Sequence, residues 1–314
     1  MRRRTVLWSI AGVLSVTAGL WATDWALLYW VAIPFVYRAA PLPESQVLRG
    51  IPYDPQAPSD GKRQLDLFLP SGRAFPTVVF VPGGGWTTGD RTLTTGGADV
   101  YANIGRFLAS RGFAAAVVSY RLLWDVDWRT QAQDVARAVG WVQRSIEARG
   151  GRRGSIFLMG HSAGAQLVTR LAIDRRWLAG AGADPASLCG VVAVSGAGYD
   201  MVDPETYRLG ADPDYYAQRF GGSVREGPWR QEASPITYFD TTAPPFLVMS
   251  AEGESAPLRR QSRLLAERLL QRGVPASQVL VPGSSHERMV VQLSRDDQTA
   301  GPAVLDFLQQ TSCP

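Results

Sequence analysis

The stretch that decides the fold is "SIFLMGHSAGAQLV", Ser155 to Val168. Ile156 to Met159 form a short apolar run suited to a buried strand, and Ala163 to Ile173 repeat apolar residues at helical spacing. Gly160 and Gly164 therefore flank a strand-to-helix corner with Ser162 at its apex. In a G-x-S-x-G corner the glycines let two backbone segments approach closely, while the serine sits on a strained turn with its hydroxyl pushed into the open above the sheet. The competing reading is an ordinary turn, in which Gly and Ser are simply common residues. A hydroxyl is a weak nucleophile at neutral pH. A catalytic Ser162 therefore requires a base, an orienting carboxylate and donors for a developing oxyanion elsewhere in the chain.

The chain contains 2 histidines. His161 adjoins Ser162 on the turn, so the two side chains diverge, and His161 is read as packing under the corner. His286 lies in "VLVPGSSHERM", a short apolar run followed by Pro-Gly-Ser-Ser, which predicts a strand ending in a loop that presents the ring. If Ser162 is the nucleophile, His286 is its base. For the carboxylate, the chain order serine, acid, histidine confines the search to residues 163–285. "PPFLVMSAEGE" offers a strand at Phe246 to Ser250 with Glu252 and Glu254 at its mouth, where an open sheet places its chemistry. Glu254 is the candidate and Glu252 the alternative. In "TVVFVPGGGWTTGD" three successive glycines follow an apolar strand, Thr77 to Val81, and remove every Cβ that would obstruct an anion. Gly84 and Gly85 are the expected amide donors, joined by Ala163 as the residue after the nucleophile. The glycines match neither the P-loop nor the dinucleotide fingerprint, which argues against nucleotide binding.

With these segments in view, the chain resembles a known family. "LDLFLP", "VPGGGW", "VVSYRL", "GHSAGAQL", Ser234-Pro235, "AEGESAPLRRQS" and "PGSSHERM" occur in the order found in α/β-hydrolases of the hormone-sensitive-lipase and feruloyl-esterase-like branch, close to kynurenine formamidases. The resemblance spans roughly residues 60 to 312. It implies Ser162 as nucleophile, Glu254 as acid, His286 as base, and Gly84, Gly85 and Ala163 as oxyanion donors. Two positions depart from the usual pattern: Pro82 stands where the glycine motif commonly begins with His, and the acid is Glu where Asp is more frequent.

About 250 residues of catalytic domain, in a chain that is 46% hydrophobic, can fill one large core. Strand-like runs at Thr77 to Val81, Phe113 to Ser119, Ser155 to Met159, Gly190 to Val194, Phe246 to Ser250 and Gln278 to Val281 alternate with helical patterns. The helical patterns lie near Ala98 to Ser110, Thr130 to Ala148, Leu167 to Arg176 and Leu258 to Arg272. This alternation predicts an α/β fold, a mostly parallel sheet with helices on both faces. The long connection from Tyr199 to Pro244, rich in aromatics and lacking a clear strand, is read as a small cap over the site. The hydrolase domain is assigned to residues 61–314, with the cap near 199–244.

The formal net charge is +4 and arginines are scattered, so no stripe exists to track a nucleic-acid backbone. Cys189 and Cys313 belong to no ligand cluster, so no metal or cofactor is expected, and a disulfide between them is left open. Arg2 to Arg4 precede an apolar run from Val6 to Ala22, and a second apolar stretch runs from Trp25 to Tyr37. Residues 1–40 are read as an N-terminal membrane anchor that leaves the catalytic domain outside the cytoplasm. A cleaved signal is the alternative, and Arg3-Arg4 carry a faint twin-arginine character. Residues 41–60, rich in Pro and polar side chains, are read as a linker. The expected activity is a serine carboxylesterase for short to medium acyl esters. The alternatives are an arylformamidase or amidase, and a catalytically silent hydrolase fold used for binding.

Overall fold

The apolar runs do become strands. The computed structural model describes residues 39–54, 56, 61–95, 98–221, 226–239 and 242–313, and the N-terminal anchor reading lies outside them. Eight strands form one sheet: β1 (Val47–Pro52), β2 (Gln64–Phe68), β3 (Phe75–Val81), β4 (Ala114–Val118), β5 (Gly151–His161), β6 (Leu188–Val194), β7 (Phe246–Ala251) and β8 (Ala276–Val281). Their spatial order is β1-β2-β4-β3-β5-β6-β7-β8. The first two strands run antiparallel to their neighbours, and every pairing from β4 to β8 is parallel. Strands β4 and β6 are buried along their whole length, as a parallel sheet covered on both faces requires.

Among the described residues six helices run for seven residues or more: α1 (Val100–Ser110), α2 (Trp128–Ser145), α3 (Ala163–Ile173), α4 (Ala256–Gln271), α5 (His286–Gln292) and α6 (Ala300–Gln310). One apolar layer packs α2, α3 and α4 against the sheet through Val135, Val139, Leu167, Leu171, Leu265 and Leu269. The opposite layer packs α1, α5 and α6 through Ile104, Leu108, Met289, Val291, Val304 and Leu308. Asp99 and Asp127 accept from Ala102 N and Thr130 N, so each caps the helix that follows it.

The linker reading of residues 41–60 is corrected in part, because Val47–Pro52 is a strand of the sheet. It is a half-exposed edge strand, so its sequence does not need an unbroken apolar run. It is fixed by main-chain pairing to β2 and by the Arg49–Asp66 ion pair. The helix expected near Leu167 to Arg176 begins at Ala163 and stops at Ile173, and a separate short helix, Arg176–Gly180, follows. Helices α5 and α6 close the chain. Cys189 at the start of β6 is disulfide-bonded to Cys313 beyond α6, which ties the C-terminal tail to the sheet.

Between β6 and β7 the described residues form short helices, Pro204–Arg208, Pro213–Tyr216 and Trp229–Ala233, with a π-helical turn at Ala217–Gly221 and a 3-10 turn at Pro235–Thr237. Its aromatics build a third apolar cluster in which Tyr216, Phe220 and Trp229 meet Trp86 and Trp128. Among the described residues, no helix is long and apolar enough to cross a membrane.

Candidate active site

Ser162 stands at the junction of β5 and α3 with φ 54° and ψ −120°. A non-glycine residue there costs of order 1–3 kcal/mol and persists only where the surroundings enforce it. They do so by proximity of backbone. A Cβ on Gly160 would collide with the Gly164 carbonyl, and one on Gly164 would collide with the Val81 carbonyl at the end of β3. Only glycine allows β5, α3 and β3 to close around the turn. The amide of Ser162 donates to Val194 O at 2.9 Å, which ties the corner to β6 as well.

The ring of His286 bridges two side chains. Its Nε2 lies 3.0 Å from Ser162 Oγ and its Nδ1 lies 3.3 Å from Glu254 Oε1. The loop expected to present this ring is a helix start instead: His286 is the first residue of α5, and Ser285 caps it by accepting from Arg288 N. The polar Ser-His-Glu-Arg run ahead of Met289–Val291 is the signal for that helix. The Glu254 side chain is 0% exposed and that of His286 is 24% exposed. Glu254 Oε2 has no hydrogen-bond partner among the described residues, so the carboxylate directs its charge at the imidazole. Glu252, the alternative acid, faces elsewhere: its Oε2 accepts from Gly283 N at 2.8 Å and stitches the β7 loop to the β8 loop. Arg259 reinforces that loop by donating to the main-chain oxygens of Glu252 and Glu254, each at 2.7 Å.

His161 is buried beneath this arrangement, with its ring centroid 4.8 Å from that of His286. Its Nε2 lies 3.0 Å from the main-chain oxygen of His286, and a carbonyl can only accept, so Nε2 carries the proton. Burial, helped by the neighbouring His286, lowers its pKa to about 3 and keeps the ring neutral.

The glycine loop lies beside the serine. Gly84, Gly85 and Trp86 all have positive φ, at 124°, 57° and 64°. The Gly84 carbonyl accepts from Thr87 N at 3.2 Å and from Thr88 N and Thr88 Oγ1 at 2.9 Å each. In a trans peptide C=O and N–H point oppositely, so the Gly85 amide is turned away from Thr88. Ala163 opens α3, so its amide has no partner within the helix. The loop is held from behind by Tyr120, whose hydroxyl donates to Pro82 O at 3.0 Å.

Ser162 and His286 open into a cavity of about 420 Å³. Trp86 and Ala197 wall it from the catalytic domain, Leu209, Tyr215 and Tyr216 from the cap, and Ala256 and Leu258 from the start of α4. Sequence reasoning did not single out Trp86, Ala256 or Leu258 as cavity walls, because nothing in their local pattern marks them as facing the serine. No group of three or more His, Cys, Asp or Glu able to hold a metal is found among the described residues.

Comparison with known proteins agrees with this architecture. The BD-FAE family model matches residues 65–269. Esterase LipC of Mycobacterium tuberculosis is 31% identical over 245 residues, covering 75% of this chain and 58% of LipC. Esterase LipQ of the same organism is 26% identical over 269 residues, covering 81% of this chain and 61% of LipQ. The chain thus spans about three-fifths of the length of these relatives. Among solved structures, esterase B from Lactobacillus rhamnosis superposes with a TM-score of 0.69 at 23% identity, over 95% of this chain and 94% of that one. The sheet order, the covering helices and the superposition are those of an α/β-hydrolase fold, and by its matched domain this chain belongs to the BD-FAE family.

Proposed function

We propose that the protein is a carboxylesterase that cleaves short to medium acyl esters through a Ser162 acyl-enzyme. The observation that carries this reading is the His286 ring placed between Ser162 Oγ and Glu254 Oε1. His286 Nε2 takes the serine proton as Oγ attacks the ester carbonyl, and then returns it to the departing alkoxide. Glu254 holds the Nδ1–H tautomer and favours the imidazolium that forms. Amides of Gly84, Gly85 and Ala163 receive the oxyanion. Water, activated by the same histidine, then releases the acid. That LipC, LipQ and esterase B are named as esterases supports ester hydrolysis as the reaction class.

The cavity, about 420 Å³ and bordered by cap aromatics and the start of α4, suits a short acyl chain. Each buried methylene contributes roughly 0.8 kcal/mol, so turnover rises from acetyl toward butyryl until the chain outgrows the space. The test is a fluorophosphonate label mapped to Ser162, together with p-nitrophenyl acetate, butyrate and palmitate and with N-formylkynurenine. The expected result is a labelled Ser162 with butyrate far ahead of palmitate. A palmitate preference would make the protein a lipase, and a formamide rate above every ester would make it an amidase.

The catalytic domain is further proposed to lie outside the cytoplasm, anchored by residues 1–40. The Cys189–Cys313 disulfide supports an oxidising compartment. Full-length chain retained on membranes after a high-salt wash is the expected outcome. Release of a chain beginning after residue 22 would replace the anchor with a cleaved signal.

A further inference from the structure

The cap contributes a phenol to the cavity wall whose hydroxyl is unused. Tyr215 is the penultimate residue of the short helix Pro213–Tyr216, and it lines the same cavity as Ser162 and His286. Its hydroxyl oxygen lies 2.7 Å from where a Cβ on Gly85 would stand. The hydroxyl is therefore stationed over the backbone of the glycine loop, on the side left open by the missing side chain. Among the described residues it makes no hydrogen bond.

The ring is not free to wander. It meets Tyr216 edge-on with centroids 5.5 Å apart, and Trp86 at 6.4 Å. Arg219, one turn further along the cap, stacks its guanidinium 3.5 Å from the ring centroid. The same guanidinium donates from one terminal nitrogen to Tyr215 O at 3.0 Å and from Nε to Gly85 O at 3.1 Å. The planar fork thus spans cap and glycine loop, a geometry that the point charge of a lysine does not reproduce. Among the described residues no carboxylate forms an ion pair with Arg219.

An immobilised donor over the loop where negative charge develops is what oxyanion stabilisation requires, because it needs no reorganisation at the moment of reaction. We propose that the Tyr215 hydroxyl is a side-chain donor of the oxyanion hole, and that Arg219 is a positioning residue acting through it. The inference rests on the serine-esterase reading above. As Ser162 Oγ forms its bond to the carbonyl carbon, the C=O π pair moves onto oxygen. The phenol O–H donates a hydrogen bond to that oxyanion and keeps its proton. On collapse the C=O bond re-forms, the alkoxide leaves, and the leaving oxygen takes its proton from His286.

The test uses the full chain and p-nitrophenyl butyrate. Tyr215→Phe keeps the ring and its packing and removes only the donor. Its kcat is expected to fall on the order of a hundred-fold with KM nearly unchanged. Inhibition by a trifluoromethyl ketone, whose serine adduct carries an oxyanion, weakens by the same factor. Arg219→Met lowers kcat alone but adds nothing in the Tyr215→Phe background, because both changes remove one interaction. Full kcat and unchanged ketone inhibition in Tyr215→Phe would overturn the inference, as would an Arg219→Met loss that adds in full to it. Failure of fluorophosphonate to label Ser162 in the unaltered protein would instead remove the esterase reading on which the inference stands.

Discussion

Around Ser162 the chain is closed by backbone against backbone. Gly160, Gly164 and the Val81 carbonyl meet at distances no side chain tolerates, and the Ser162 amide is tied to Val194 O. Across the cavity, the segment between β6 and β7 is closed by side chains. Phe220 meets Trp86 edge-on at 4.9 Å and stacks on Trp229 at 6.5 Å, while Arg230 reaches the Met201 carbonyl and the Tyr207 hydroxyl. Main-chain geometry of the first kind fixes atoms to fractions of an ångström, which a nucleophile needs. Side-chain packing of the second kind tolerates substitution of equal volume, which suits a wall that selects substrates. The corner is thus the part of the site held by main-chain contact, and the cap is the part held by side-chain packing, from which Tyr215 and Arg219 reach the glycine loop.

The sharpest way to break that contrast is at the groups proposed to react. Ser162→Ala is expected to lower ester turnover on the order of a million-fold, and His286→Ala about as far, because the groups act as a unit. Neither change should unfold the protein. Glu254→Gln follows at a factor near ten thousand, while Glu252→Gln, whose carboxylate serves the Gly283 amide, stays within roughly tenfold. Steady-state kinetics on p-nitrophenyl butyrate decide the matter. A severe Glu252→Gln with a mild Glu254→Gln would transfer the orienting role to Glu252.

A second comparison exchanges one glycine in each region. Gly164→Ala drives a methyl group into the Val81 carbonyl and is expected to cost several kcal/mol, enough to leave little folded protein. Gly210→Ala, in the cap, meets nothing within 4 Å and pays only for its φ of 103°, about 1 kcal/mol. Urea denaturation of both variants measures the difference. Equal costs would mean that the corner is no more tightly enforced than the cap.

The corner was legible in the sequence because its two periodicities and its colliding glycines fall within one short stretch. Strand β5, helix α3 and the order Ser162, Glu254, His286 could be read without tertiary information. Only place in the chain order sets Glu254 above Glu252 in the sequence, since both stand at the mouth of β7. What separates them is a hydrogen bond from Gly283, a residue of the next loop. Strand β1 was hidden in a polar, Pro-containing stretch because an edge strand is held by main-chain pairing to β2, which leaves little mark on composition. The cap was visible as an aromatic-rich insertion, but its contacts are long-range. Nothing in the local pattern around Arg219 announces that it spans Tyr215 and Gly85.

A pH-dependent contrast concerns His161, where the corner and α5 meet. Its pKa is about 3 in the folded chain against an ordinary 6.5, because burial penalises the charged ring. Between those values the unfolded chain binds a proton that the folded chain does not, so stability rises with pH through that window and falls as the pH drops below 6.5. From pH 7 to pH 5 the ring contributes a loss of about 2 kcal/mol, taking 1.36 kcal/mol for each unit of pH below 6.5. The Asp203 carboxyl, held down to about 2 by Arg260 and Thr206 against the opposing effect of burial, titrates below this interval, and Asp200, pushed up by burial, acts alike in both proteins. His161→Gln keeps a donor for the His286 carbonyl but has nothing to titrate. Urea midpoints at the two pH values should therefore show the unaltered protein losing about 2 kcal/mol more than the variant. Equal losses would mean that His161 accepts a proton without penalty, and that the floor of the corner is wetter than its burial indicates.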